Sequence, residues 1–206
     1  FERALRHGRS PTGRHYYPAF PYAAYTRMRS GDVAALWAYL QTVEPVQREN
    51  RSHELQWFAR FRPGLALWKF LHFRPASFEP DADASAEWNR GAYLSSALAH
   101  CAECHSPRTR TGGIKRGLRY AGGRMAAGDT APNITPDRET GIGGWSGRHL
   151  VRYLDLGMDP EGDFAGGAMG DVISEGTSFL TDSDRRALVV YLRSLEPVRR
   201  EVTPAD

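Results

Sequence analysis

The sequence predicts an all-α fold, and three observations carry that prediction. A helix-length segment with one apolar stripe occurs twice, once near each end of the chain. Serine and threonine stand where helices should begin, at Ser85 and Thr181. The motif with the clearest chemistry, Cys101-Ala102-Glu103-Cys104-His105, has its two thiols at i and i+3, on one side of a helical turn.

The repeat comes first along the chain. Residues 32–46 read DVAALWAYLQTVEPV and residues 184–198 read DRRALVVYLRSLEPV. Identical pairs include Ala35/Ala187, Leu36/Leu188, Tyr39/Tyr191 and Leu40/Leu192, and both copies end Glu-Pro-Val. Self-similarity at long range suggests duplicated domains. Leu188, Leu192 and Leu195 recur at helical spacing, Thr181 and Asp184 resemble a capping box, and Pro197 stops the helix. Ser85 to Arg199 is then one complete domain. Residues 1–46 hold only the back end of another, without cysteine. If the repeat is real, the front half of that first domain lies outside this chain.

Residues 47–84 connect the two. They carry Trp57, Phe58, Phe61, Trp68, Phe70 and Phe73 among Arg60, Arg62, Lys69 and Arg74. Pro63-Gly64 is expected to interrupt any helix there. The favoured reading is a linker that packs its aromatics between domains; the other is a segment that docks on a membrane surface or partner. After Ser85 a helix should run from Ala86 towards Ala99 and lead into the cysteine motif. A loop-rich middle follows, then a helix over 147–156 with Leu150, Tyr153 and Leu154 on one face. A glycine-rich loop, 157–170, precedes the final helix.

The motif uses both cysteines of the chain. A C-x-x-C-H run is read as covalent haem attachment. Thiols at i and i+3 lie on one side of a turn and can both form thioethers to one porphyrin, and the adjacent imidazole then ligates the iron. A structural zinc site would need four ligands, and no other cysteine exists despite the neighbouring His100. A thioredoxin-like pair would sit near a βαβ pattern, which these flanks lack. A simple disulfide would not require His105.

The bulk numbers agree. Hydrophobic content is 41% over 206 residues, slightly low, and a porphyrin can supply missing core. No run of about 20 apolar residues is present to span a membrane. The chain opens Phe-Glu-Arg-Ala-Leu-Arg, without a signal-peptide core, and is expected to be processed or to lack its true beginning. Net charge is +3, with residues 1–74 at +7 (12 Lys/Arg, 5 Asp/Glu) and residues 75–206 at −4 (15 and 19). Such asymmetry marks a docking surface or a solvated face. No clustered basic stripe on a recognisable module points to nucleic acid.

The second axial ligand must come from Met28, Met125, Met158, Met169 or a histidine such as His149. Met169 is the best candidate. It lies in Gly166-Gly167-Ala168-Met169-Gly170, where small neighbours let the chain approach a flat porphyrin. Met158 and Met125 follow, each with core gap-filling as the simpler role.

With these residues the chain resembles bacterial dihaem and multihaem cytochrome c subunits of periplasmic dehydrogenases, of the quinoprotein alcohol dehydrogenase and molybdenum hydroxylase types. The resemblance rests on Tyr17 to Tyr22, Ser85 to Leu94, Cys101 to Pro107, Ala131 to Thr135, Gly141 to Trp145 and the final helix. It implies a class I-like cytochrome c domain over 85–200, preceded by the C-terminal part of another over 1–46 and a linker over 47–84. It implies a crossing of first and last helices at Gly91, against Tyr191 and Leu195, with Met169 as axial ligand. Asn133 and Trp145 would line the haem or hold its propionates. Phe20 stands where relatives often carry methionine, which leaves Met28 as the candidate ligand of a first haem. The function implied is electron transfer, not catalysis. Electrons would come from a dehydrogenase subunit and pass to an oxidase or soluble cytochrome. One haem c sits in this chain and a second in the full-length protein. The location is the periplasm, with peripheral membrane association admitted. The rival is a haem enzyme with an exchangeable sixth ligand, a peroxidase or sulfur-compound dehydrogenase.

Overall fold

A computed structural model describes residues 1–55, 57–125 and 128–203. Gln56, Ala126, Ala127 and residues 204–206 lie outside that description, as do the side chains of Phe58 and Ala59. The expected connection 47–84 and domain 85–200 are therefore each described in part. The structure is mostly helical, and the chain divides into two units, Phe1–Phe78 and Glu79–Asp206.

In the first unit α1 (Glu2–His7) ends at Gly8, whose φ of 54° is left-handed. A Cβ at Gly8 would lie 2.3 Å from the Tyr22 ring, so glycine is required there on two counts. A tight turn pairs Arg9 with His15 and leads to α2 (Tyr22–Tyr25) and α3 (Ser30–Leu40). Helix α4 spans Pro63–His72. Pro63 therefore starts a helix where an interruption was expected, because the first turn has no use for the N–H that proline lacks. Tyr22 meets Phe73 edge-on at 5.3 Å and Trp68 at 6.3 Å. Beyond α4 the Phe78 N–H donates to the Arg27 carbonyl. Residues 63–78 thus pack on the first unit.

In the second unit Ser85 caps α5 (Ala86–Tyr93), its Oγ accepting from the Trp88 N–H at 3.0 Å. The helix continues as one π turn, Leu94–Leu98, and His100 follows with a φ of 42°. A short antiparallel pair, β1 (Gly123–Arg124) and β2 (Thr130–Ala131), interrupts the loops. Helix α6 (Gly147–Leu156) matches its expected bounds. Helix α7 (Gly167–Ser174) occupies part of the stretch expected as loop. Helix α8 (Asp182–Arg193) is capped by Thr181, whose Oγ1 accepts from the Asp184 N–H.

The crossing of α5 and α8 organises this unit. A Cβ at Gly91 would fall 1.9 Å from the Ala187 carbonyl oxygen and 2.8 Å from the Tyr191 Cβ. Of the expected partners Tyr191 is in tight contact, and Ala187, one turn before it on α8, takes the place expected for Leu195. Arg90 clamps the same crossing with a bidentate pair to Asp184, at 2.8 and 2.7 Å.

The two units repeat each other further back than the α3/α8 sequences alone reveal. Gly157, left-handed like Gly8, ends α6, and a turn pairs Met158 with Phe164 as Arg9 pairs with His15. The signal was present as Gly8-x-x-Pro-x-Gly13 and Gly157-x-x-Pro-x-Gly162. In this register Phe20 and Met169 each stand 12 residues after the leading glycine.

Candidate functional site

The cysteine motif begins on a 3₁₀ turn, Cys101–Glu103, in which the Cys101 carbonyl accepts the N–H groups of Cys104 and His105. The helical wrap expected from the spacing is present. Both cysteines are unpaired and half-buried. Burial pushes both thiols above their usual pKa, with a Ser95 hydrogen bond opposing the shift at Cys101 and the Glu103 carboxylate adding to it at Cys104. Arg108 ties the turn down by a 2.7 Å bridge to the Glu103 carboxylate and a bond to its carbonyl.

His105 carries the decisive geometry. It is 8% exposed, and its Nδ1 lies 2.8 Å from the Pro132 carbonyl. A carbonyl can only accept, so Nδ1 holds the proton and Nε2 presents its lone pair, the tautomer a metal-ligating histidine needs. Burial holds its pKa below the ordinary range, against the pull of that hydrogen bond, and keeps the imidazole neutral. The backbone behind it is fixed at close quarters. The Gly122 N–H donates to the His105 carbonyl at 3.0 Å, and a Cβ at Gly123 would lie 2.3 Å from the Ser106 carbonyl. The Ser106 Oγ accepts from the Tyr120 N–H. Sequence reasoning gave Pro132 no role within its stretch and missed Gly122-Gly123 and Tyr120; the tandem glycines after a tyrosine were the available signal.

Cys101 and Trp145 belong to one apolar cluster built on Ala102, Tyr120, Ile142, Leu150, Val189 and Leu192. Trp145 meets Tyr153 edge-on at 5.3 Å, and its carbonyl accepts from Arg193. Asn133 serves the fold. Its amide donates to Thr140 Oγ1 at 3.0 Å and the Val198 carbonyl at 2.7 Å, and its oxygen accepts from the Thr135 N–H and hydroxyl. Both N–H groups are engaged within the protein. Met169 stands half-buried in the first turn of α7, not in a loop. Met158 is half-buried within its bridge, Met125 is half-buried, and Met28 is 4% exposed.

The site therefore has the donor set that covalent haem requires: two free thiols on one turn, a neutral buried imidazole with the correct nitrogen available, and apolar walls around Cys101. A helical unit with this site defines a c-type cytochrome, and the group it holds is haem c.

The comparisons agree with that class. No protein-family model matches the chain. It is 41% identical over 196 residues to a nicotinate dehydrogenase subunit of Pseudomonas putida. It is 41% identical over 198 residues to a diheme cytochrome c-type protein of Cereibacter sphaeroides, and 38% over 205 residues to the fructose dehydrogenase cytochrome subunit of Gluconobacter japonicus. These alignments cover 95%, 96% and 98% of this chain, but 16%, 65% and 41% of the three relatives. The chain is homologous over nearly its whole length to cytochrome c subunits of bacterial dehydrogenases.

Proposed function

We propose that the chain relays electrons within a dehydrogenase complex. It would take them from a dehydrogenase subunit and pass them to an oxidase or soluble cytochrome in the periplasm. The observation that carries this reading is the His105–Pro132 hydrogen bond, which presents Nε2 for permanent ligation. Haem bound there supplies a one-electron couple, and the chain's residues set its ligation and burial. Met169 is the proposed sixth ligand. Iron held by both His105 and Met169 would have no position left for a substrate, which favours relay over catalysis.

Residues 85–200 are proposed as a class I-like cytochrome c domain and residues 1–46 as the C-terminal part of another. Two observations support the second assignment. The units share their glycine-ended helix, turn and final helix. The α3 residue matching a buried leucine of α8 is open, Leu40 being 41% exposed where Leu192 is 7%. In this reading the full-length protein carries a second haem, with buried Met28 as a candidate ligand because Phe20 cannot bind iron.

The test is spectroscopic. The oxidised protein should be low-spin with a methionine–iron charge-transfer band, and the reduced protein should not bind carbon monoxide readily. Met169→Ala should keep the haem attached and turn the iron high-spin. Ready carbon monoxide binding by the unmodified protein would instead favour an open-site haem enzyme.

A further inference from the structure

A line of hydroxyl groups crosses the apolar cluster that packs on Cys101. It starts on the π turn Leu94–Leu98, where the Ala99 N–H donates to the Leu94 carbonyl at 2.8 Å. Single π turns within helices recur at functional sites. This one carries Ser95, which is 0% exposed. A helical serine can satisfy its hydroxyl on the carbonyl one turn back along its own helix. Ser95 reaches across to the Tyr120 hydroxyl, at 3.2 Å in the interior.

Tyr120 is held there under strain. Its φ of 67° is left-handed, which for a bulky residue persists only where the surroundings over-determine it. They do. Its N–H donates to the Ser106 Oγ at 3.1 Å, its carbonyl accepts from the Ile134 N–H at 2.9 Å, and its ring meets Tyr191 edge-on at 6.2 Å. Tyr191 continues the line. Burial pushes its phenol well above the usual range, and the neighbouring Tyr120, to which it donates a hydrogen bond, adds to the shift. Tyr191 therefore keeps its proton. At the other end, Ser95 is hydrogen-bonded to Cys101.

Haem attachment changes which of these groups can donate. A free Cys101 thiol can donate to Ser95, and Ser95 donates on to Tyr120. When the thiol adds across a porphyrin vinyl group, the sulfur gains a bond to one vinyl carbon and the hydrogen goes to the other. The thioether sulfur can then only accept. Hydroxyl hydrogens rotate to suit their partners. Every acceptor on the line is served if it runs the other way, from Tyr191 to Tyr120, from Tyr120 to Ser95 and from Ser95 to sulfur. Hydrogen bonds in such a chain strengthen one another.

We propose that Ser95, backed by Tyr120 and Tyr191, is a positioning residue that donates a hydrogen bond to the Cys101 thioether sulfur and raises the midpoint potential of the haem. The positive end of that O–H dipole faces a group that gains one negative charge on reduction, so it favours the reduced form. The inference rests on haem attachment at Cys101, which the mass of the haem peptide checks separately from the potential. The experiment is redox titration of haem-loaded Ser95→Ala, Tyr120→Phe and Ser96→Ala proteins beside the parent. Each change removes one hydroxyl. Ser95→Ala should lower the midpoint potential, and Tyr120→Phe should lower it by less. Ser96→Ala, next in the same turn and 8% exposed, should leave it in place. If Ser95→Ala does not accumulate with haem, Tyr120→Phe against Ser96→Ala still decides the question. Resonance Raman gives a direct signature: a thioether C–S stretch should shift in deuterated water in the parent and not in Ser95→Ala. Unchanged potentials in Ser95→Ala and Tyr120→Phe, with haem attached to Cys101, would overturn the inference. So would an equal drop in Ser96→Ala. Haem missing from Cys101 would overturn the attachment itself, and this inference with it.

Discussion

Replacing Gly91 with alanine sets two physical effects against each other. Alanine is the better helix former by about 1 kcal/mol, so at an open helical site this change stabilises. At Gly91 the new Cβ would sit 1.9 Å from the Ala187 carbonyl oxygen. Relaxation to an ordinary carbon–oxygen contact of about 3.3 Å requires α5 and α8 to part by about 1.4 Å. The obstacle is backbone, so no side chain can swing aside, and the cost belongs at the upper end of the ~1–3 kcal/mol typical of overpacking. The net expectation is a loss of about 2 kcal/mol, or about 6–12 °C in melting temperature for a unit of this size. Denaturant unfolding of the haem-loaded protein, followed by circular dichroism, measures it. Gly147→Ala is the control. Its nearest atom would be Val189 Cγ1 at 3.9 Å, and it should be neutral or stabilising by up to about 1 kcal/mol. A Gly91→Ala protein as stable as its parent would refute the crossing geometry.

Two other substitutions probe the frame of the site. Asn133→Ala removes two donated bonds and leaves the Thr135 N–H without its acceptor, the hydroxyl keeping only the longer bond to the Val198 carbonyl. It should cost about 3 kcal/mol in denaturant unfolding while barely moving the midpoint potential; a large potential shift with unchanged stability would mean that Asn133 serves the propionates instead. Asp184→Asn tests the clamp on the helix crossing. The Arg90 hydrogen bond holds the Asp184 carboxyl below its usual range, so its contribution is full above the unfolded value of 3.8 and is lost as pH falls through the lower folded value. The variant should be less stable by about 1 kcal/mol at pH 7, since Arg90 is partly exposed, and the gap should close in strong acid. A gap that persists at acid pH would locate the effect elsewhere.

Local chemistry made much of this legible. The caps at Ser85 and Thr181, the stripe over 147–156 and the helical turn of the cysteine motif depend on neighbours in sequence, and the residues announce them. Helix α7 was hidden because Gly166, Gly167 and Gly170 disfavour helix; packing against α6 and the 177–179 turn supports it. The π turn at 94–98 has no sequence marker, since Leu-Ser-Ser-Ala-Leu suits an α-helix equally well. Asn133 matched a ligand-binding pattern, whereas its partners Thr140 and Val198 are brought together only by the fold. The same holds for Pro132, whose carbonyl selects the His105 tautomer from 27 residues away.

The central claim is that haem is bonded to Cys101 and Cys104 beneath His105. Mass spectrometry of the denatured, protease-digested native protein tests it most directly. One peptide spanning Cys101 to His105 should carry the mass of one haem and absorb visible light. Recovery of that peptide with two free thiols and no attached haem would contradict the claim.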